Sequence, residues 1–197
     1  MINTTGLSAD IKSRLDALPV ANIGDAMSRL YLMEAEISPV WKGARVVGPA
    51  FTVMTAAGDN DYIHRALAEA SPGDVIVVDG QGVTARALIG ELMAGRAQAK
   101  GIAGIVIDGA IRDAEDIGKL GFPVWARAQT PAGPYRNGPG HLQREVSAGR
   151  VVVRPGDIIA GDDDGIAVLR IEELDEIVER AEAKFASEAE IRANIGL

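Results

Sequence analysis

Ile102-Ala103-Gly104-Ile105-Val106-Ile107 is an uncharged run of small and β-branched residues that leads straight into Asp108-Gly109-Ala110-Ile111-Arg112-Asp113. Such a run reads as a buried strand, the kind found in sheets that helices cover. Arg112 and Asp113 then fall in the loop or first helical turn at the strand's carboxyl end, where open α/β sheets build ligand sites. A cation beside a carboxylate there suits an anionic oxygen and a hard metal ion in one small pocket. A second Gly-rich turn, Gly90-Glu91-Leu92-Met93, places another acid, Glu91, before the 20-residue spacer 92–111 that leads to Arg112. Two turns from separate segments can therefore face one pocket.

The rest of the chain alternates between helical and extended patterns. Ile11, Leu15 and Leu18 mark a short helix after Ser8, ended by Pro19. Asn22 is expected to cap a second helix carrying Ile23, Ala26, Met27 and Leu30 on one face, with Asp25 as a capping-box or first-turn acid. Residues 44–55 read as a strand in which Gly48-Pro49 implies an edge or a bulge. A helix follows Asn60-Asp61, burying Ile63, Ala66, Leu67 and Ala70. Val75–Val78 and Pro123–Ala126 are further buried strands, with Gly80-Gln81-Gly82 read as a βα turn. Thr84–Ile89 is ambiguous by pattern, and Gly90–Lys100 has helix punctuation at both ends, with Gly101 beyond. Residues 130–145, with Pro131, Gly133, Pro134, Gly138, Pro139 and Gly140, form a long irregular loop of the sort that is often functional or mobile. Val151–Arg154 and Ile166–Leu169 are expected as strands around a turn, and about 172–193 as an amphipathic helix packed on the domain or on a neighbouring subunit. Pro72-Gly73-Asp74 and Pro155-Gly156-Asp157 echo each other, as ordinary turn chemistry before a strand does.

The acid, 20-residue spacer, Arg-Asp pattern resembles the family shared by 4-hydroxy-4-methyl-2-oxoglutarate aldolases, class II pyruvate aldolases and the regulators that inhibit ribonuclease E. The likeness runs from about Ala21 to Arg170. It rests on five stretches in order: Asn22–Ala26, Pro72–Gly80, Gly90–Met93, Asp108–Asp113, and Arg154–Asp157 through Gly161–Gly165. The resemblance implies a layered β/β/α sandwich of the swivelling-domain type, usually assembled as homotrimers or hexamers, and favours a short strand at Thr84–Ile89. It also implies that Asp113 holds a divalent metal and that the backbone amides of Leu92 and Met93 take the pyruvate carboxylate.

Composition narrows the function classes. A chain of 197 residues with 47% apolar content supports one sizeable core, so a single domain over 1–197 is expected. The formal net charge of −8 argues against direct binding to nucleic acid or an anionic membrane. The absence of cysteine excludes thiolate metal sites, Cys nucleophiles and disulfides, and fits a cytoplasmic address. No apolar stretch approaches the roughly 20 residues that span a bilayer, and Met1–Thr5 lacks the basic-then-apolar pattern of a leader.

Two histidines, His64 and His141, far apart in sequence, make a dedicated zinc site unexpected, which leaves carboxylates and hence Mg2+ or Mn2+. Mg2+ needs only one or two protein carboxylates when water and substrate supply the remaining oxygens, so Asp113 would suffice. Arg112 would stabilise the enolate that develops when a C–C bond breaks beside a ketone, because its guanidinium stays charged and donates in a planar fork. Its plain alternative, together with Asp113, is an N-cap carboxylate beside a surface arginine. Gly90 permits close approach, and a helix starting there leaves the Leu92 and Met93 amides free for a substrate carboxylate. Glu91 is the candidate general base for the 4-hydroxyl, directly or through water; the family's aldolases more often carry Asp at this position. The plain alternative for Glu91 is a first-turn acid favoured by the helix dipole. His64 and Asn60 could border the pocket, and Arg86 could meet a second carboxylate. Asp162-Asp163-Asp164-Gly165 lacks the alternation of a calcium loop and reads as a turn.

The expectation is a metal-dependent lyase acting on a small 2-oxo acid, with oxaloacetate decarboxylation as a companion activity. The rival reading is a protein regulator of ribonuclease E. A methyltransferase is disfavoured, because no Gly-rich nucleotide loop with a following ribose-binding acid is present.

Overall fold

The computed structural model describes residues 7–196, so the reading of Met1–Thr5 lies outside the described residues. The strands are β1 (Ser38–Pro39), β2 (Val46–Thr55), β3 (Val75–Ile89), β4 (Gly104–Ile111), β5 (Val124–Gln129), β6 (Gly140–Leu142), β7 (Val146–Ala148), β8 (Val151–Val153), β9 (Ile158–Asp162) and β10 (Gly165–Leu169). The helices are α1 (Ala9–Asp16), α2 (Val20–Ala26), α3 (Asp61–Glu69), α4 (Glu91–Ala99), α5 (Ala114–Leu120) and α6 (Leu174–Ile195).

Eight strands form one mixed sheet in the order β1-β5-β4-β3-β2-β9-β10, with β6 pairing the far end of β2. Strands β2 to β5 run parallel, so their carboxyl ends lie along one edge. One face packs Phe51, Val53, Ile76, Val78, Ile105 and Ile107 against α3, α4 and α5. The other packs Val75, Val77, Val106 and Trp125 beneath the β7–β8 hairpin. The result is a layered α/β architecture with helices on one side of the sheet and a small β layer on the other. No helix of the described chain is long and apolar enough to cross a membrane.

Asp108 ties the small β layer to the sheet. It is buried on β4, accepts the Gly149 amide at 2.8 Å and pairs with Arg127, which also pairs with Glu34. The two Pro-Gly-Asp stretches adopt one turn. Gly73 and Gly156 take φ of 90° and 86°, and Asp74 and Asp157 accept the amides three residues back, Ser71 and Arg154, at 2.8 and 2.7 Å.

Several expectations need correction. The second helix begins after Pro19, so Asn22 is inside it, buried, and donates to Glu188 at 3.0 Å rather than capping. Asp25 lies near that helix's end, paired with Arg29 at 3.1 Å. The helix stops at Ala26 because Ser28 and Arg29 turn to positive φ, which leaves Leu30 57% exposed. Gly48-Pro49 is interior, at the hand-over where β2 leaves its ladder with β9 at Pro49–Ile158 and joins β3 at Ala50–Val75. Gly80-Gln81-Gly82 is a bulged bend within one 15-residue strand, so Thr84–Ile89 is strand as the resemblance implied. The partner of β8 is β7, while β10 pairs with the unforeseen β9. α6 packs on α1 and α2 of its own domain through Leu174, Ile177, Val178 and Ala181.

The Pro- and Gly-rich segment after β5 is closely pinned. Ala87 donates to the Ala132 carbonyl at 2.8 Å, Tyr135 to Gly58 at 2.9 Å and Asn60 to Tyr135 at 3.1 Å. The buried Asp59 accepts Asn137 and Gly138 through one carboxylate oxygen at 2.7 and 2.8 Å, and Asp61 through the other at 2.8 Å. Burial alone would raise the Asp59 pKa, but these three amides outweigh it and hold the group below the ordinary range. A depressed folded pKa contributes stability that is complete above the unfolded value of about 3.9 and is lost as pH falls through the folded one. The Asn137 and Gly138 amide proton shifts should therefore titrate together with a midpoint below about 3.9, read by two-dimensional NMR. Independent midpoints, or one at the ordinary aspartate value, would refute the clasp.

Candidate active site

The carboxyl end of β4 turns immediately into α5. Arg112 donates its amide to the Ile89 carbonyl at 3.0 Å, so the last residue of β3 holds the turn in place. Asp113 is the residue before α5 and takes a left-handed backbone, φ 58° and ψ 37°, which Asp tolerates better than most residues. Its carboxylate does not cap its own helix. Oδ2 instead accepts the Glu91 amide of α4 at 3.2 Å and lies 3.5 Å from Arg112 Nε. A Cβ at Gly90 would overlap that same Oδ2 and fall 3.0 Å from Arg112 Cγ, so glycine here is what lets both side chains keep these positions where the two turns abut.

These turns open onto a cleft of about 190 Å³. Arg112, Asp113, Gly90, Leu92 and Met93 line it, with Pro134 of the pinned loop at its margin and Asn60, His64 and Arg96 along the wall. Five of the six residues singled out from sequence thus share one cavity. The sixth, Glu91, contributes its amide to Asp113, but its half-buried side chain is not among the lining groups.

The amino end of α4 differs in detail from the expectation. The Met93 amide is directed at the Gly90 carbonyl at 3.1 Å, closing the first turn, and the Glu91 amide is taken by Asp113. Among the described residues no acceptor meets the Leu92 amide, which makes it the group available to an anion. The side chains separate: Met93 is buried and touched by Asn60 Nδ2 at 3.5 Å, whereas Leu92 is 69% exposed.

The donor set can be tested against a divalent cation. Among the described residues only Oδ2 of Asp113 is engaged, leaving Oδ1 and open positions for water or substrate oxygens. No three His, Cys, Asp or Glu side chains converge among the described residues. A single carboxylate with one unengaged oxygen, in a cleft open to water, fits Mg2+ or Mn2+, ions that need only one or two protein carboxylates and retain several waters.

Arg86 is committed elsewhere. It donates to the Gly133 carbonyl at 2.8 Å and to Tyr135 Oη at 2.7 Å, with its guanidinium 4.0 Å over the Tyr135 ring. Arg96 was missed by sequence reasoning, although its spacing carried the signal: four residues beyond Leu92, it shares a helical face with the free amide. His64 does border the cleft. Burial first, then repulsion from Arg136 and Arg96, hold its pKa below the ordinary imidazole value against the opposing pull of Asp61. The acidic run keeps its turn reading, since Asp162 and Asp163 accept the Asp164, Val20 and Gly43 amides.

Comparison with known proteins shows the family to which the chain belongs. A protein from Halalkalibacterium halodurans provisionally named 4-hydroxy-4-methyl-2-oxoglutarate aldolase is 40% identical over 179 residues, 91% of this chain and 85% of its own. The RNA-processing inhibitor RraA of a Thermus species superposes with a TM-score of 0.70 at 30% identity, covering 77% of this chain and 92% of its own. An unusual member of the RNase ES inhibitor RraA family from Streptomyces coelicolor reaches 0.83 at 28% identity, covering 95% and 98%. Residues 20–168, the span that builds both turns, the cleft and the pinned loop, match the family described as RraA-like, Aldolase/RraA, and the chain belongs to that family.

Proposed function

We propose that this chain is a class II lyase that cleaves 4-hydroxy-4-methyl-2-oxoglutarate, or a related 4-hydroxy-2-oxo acid, to pyruvate, using Mg2+ or Mn2+ and decarboxylating oxaloacetate as a side activity. The observation that carries the reading is the contact between the two turns: Asp113 anchored on the Glu91 amide, with Arg112 beside it and the Leu92 amide free. The 40% identical relative supports the same chemistry. Assembly as a homotrimer or hexamer and a cytoplasmic address belong to the same reading.

A divalent cation held by Asp113 would supply Lewis-acid polarisation of the 2-oxo group. The chain's own residues do the rest. The Leu92 amide, at the positive end of α4, binds the carboxylate beside the ketone. Arg112 presents a fixed charge to the oxygen that becomes negative as the C3–C4 electrons move toward C2, an interaction stronger in the transition state than in the bound substrate. Glu91 is assigned the 4-hydroxyl proton. Because its side chain does not line the cleft, this transfer needs a rotamer change or an intervening water. Loss of that proton turns C4 into a carbonyl, and protonation at C3 completes pyruvate.

Asp113→Asn keeps a residue that tolerates the left-handed turn and removes the negative charge, so it should abolish Mg2+-dependent pyruvate release, as a chelator should in the unmodified protein. A coupled pyruvate assay showing near-normal turnover in that variant would sink the assignment. Glu91→Gln should slow aldol cleavage by about 10² to 10⁴ while leaving oxaloacetate decarboxylation within a few-fold, because only the first reaction removes a hydroxyl proton. Equal losses in both assays would reassign Glu91 to holding the helix end.

The similarity to RNA-processing inhibitors favours a second reading, regulation of ribonuclease E through the acidic surface. In that case the protein, and equally its Asp113→Asn variant, should bind a ribonuclease E fragment and inhibit RNA cleavage at micromolar concentration. Absence of both effects in a mixing experiment removes this reading.

A further inference from the structure

Arg96 is the cleft cation that lacks a counter-charge. Its guanidinium makes no hydrogen bond or ion pair with any described residue, whereas the arginines around it are all engaged. Arg86 holds the pinned loop, Arg65 and Arg136 share Asp61 at 2.7 and 3.8 Å, and Arg112 faces Asp113. This is not for want of acids, since the chain has 28 Asp and Glu against 20 Lys and Arg. Arg96 lies one turn past Leu92, about 6 Å along the helix axis, and side chains on a helix lean back toward its amino end. Its guanidinium therefore shares the cleft with the free Leu92 amide.

The facing wall is built for a hydrogen bond rather than another charge. His64 comes from α3, and burial together with Arg136 and Arg96 holds its imidazole pKa below the ordinary value against the pull of Asp61, which disfavours the charged form. Asn60 is not a competitor for a ligand anion: its Nδ2 already donates to the Leu88 carbonyl at 3.0 Å and to Met93 Sδ. The cleft lining thus offers two sets of donors, Arg112 with the Leu92 amide and Arg96 with His64.

We infer that Arg96, assisted by His64, is the subsite for a second carboxylate and makes this cleft select 2-oxo dicarboxylates over 2-oxo monocarboxylates. The inference rests on the 2-oxo acid reading above and adds the residue that sets specificity. Arg suits the role, because its planar fork meets a carboxylate with two parallel donors and cannot lose its charge.

The test uses the full chain with Mg2+ and two probes without a 4-hydroxyl: 2-oxoglutarate, and 2-oxopentanoate, which has the same chain length and no distal carboxylate. Isothermal titration calorimetry should show 2-oxoglutarate bound about 10- to 100-fold more tightly, the range expected of a charge-assisted hydrogen bond. Arg96→Met should erase that preference by weakening 2-oxoglutarate alone, with unchanged 2-oxopentanoate affinity serving as the control for folding. Arg96→Lys should retain part of it. In the unliganded Arg96→Met protein the His64 imidazole should titrate at a higher pH by NMR, since a repelling charge is gone. If both acids bind equally well to the unmodified protein, or if the preference survives in Arg96→Met, the second subsite is overturned while the 2-oxo acid reading stands. If neither acid binds, that reading fails and the subsite with it.

Discussion

Everything in the candidate site depends on one place where two chain reversals touch. The turn from β3 into α4 and the turn from β4 into α5 meet at Gly90, where the missing Cβ leaves room for the Asp113 carboxylate. That carboxylate accepts the Glu91 amide, so the first peptide group of α4 is satisfied from the neighbouring turn rather than from its own N-cap. One contact settles three things: where the acid points, how close Arg112 comes to the helix end, and which amide remains for a ligand. A side chain at Gly90 would displace the Asp113 carboxylate and the Arg112 side chain from these positions.

The sheet supplies the precision for this contact. Parallel pairing of β3 with β4 aligns their carboxyl ends, and the Arg112 amide bonded to Ile89 locks the register at the last residue of each strand. The β2–β3 ladder brings the segment after β2 alongside, so α3 starts next to α4 and delivers Asn60 and His64. Asp59 then fixes the irregular segment above them. A buried carboxylate with three amide donors is stable only while all are in place, because an unpaired buried charge costs several kcal/mol. A stretch whose Pro and Gly content suggests mobility is thereby converted into a fixed margin of the cleft.

Much of this was legible in the residues, and the failures have identifiable causes. The strand before Arg112, the glycine-led helix at 91–99 and the position of Asp113 follow from local chemistry: β-branched runs, glycine at helix ends, and the Arg-Asp pair at a strand's carboxyl end. The overextended second helix did not, because Leu30 keeps the helical spacing while Ser28 and Arg29 adopt left-handed backbone that their identities do not announce. β9 was missed although Ile158 follows the same Pro-Gly-Asp turn that precedes β3, a repeat that could have marked a second strand start. Arg86 and Arg96 are indistinguishable as charges in the sequence. Only the three-dimensional path of the 130–139 segment decides that Arg86 is consumed by Tyr135 and Gly133 while Arg96 is left free.

That distinction also resolves an apparent conflict between the whole molecule and its cleft. A net charge of −8 sets up a field that disfavours the approach of a dianion, yet the cleft holds Arg96 and Arg112 with a single carboxylate, Asp113, among its lining groups. Screening confines each charge to roughly a Debye length, about 8 Å at physiological ionic strength. Beyond that distance the acidic surface acts weakly, so the charges lining the cleft, Arg96, Arg112 and Asp113, weigh most on a ligand inside it. Arg96 bears little desolvation cost while exposed to water. Under the second-subsite proposal its contribution would appear only when a ligand displaces that water, which would let it discriminate between one carboxylate and two.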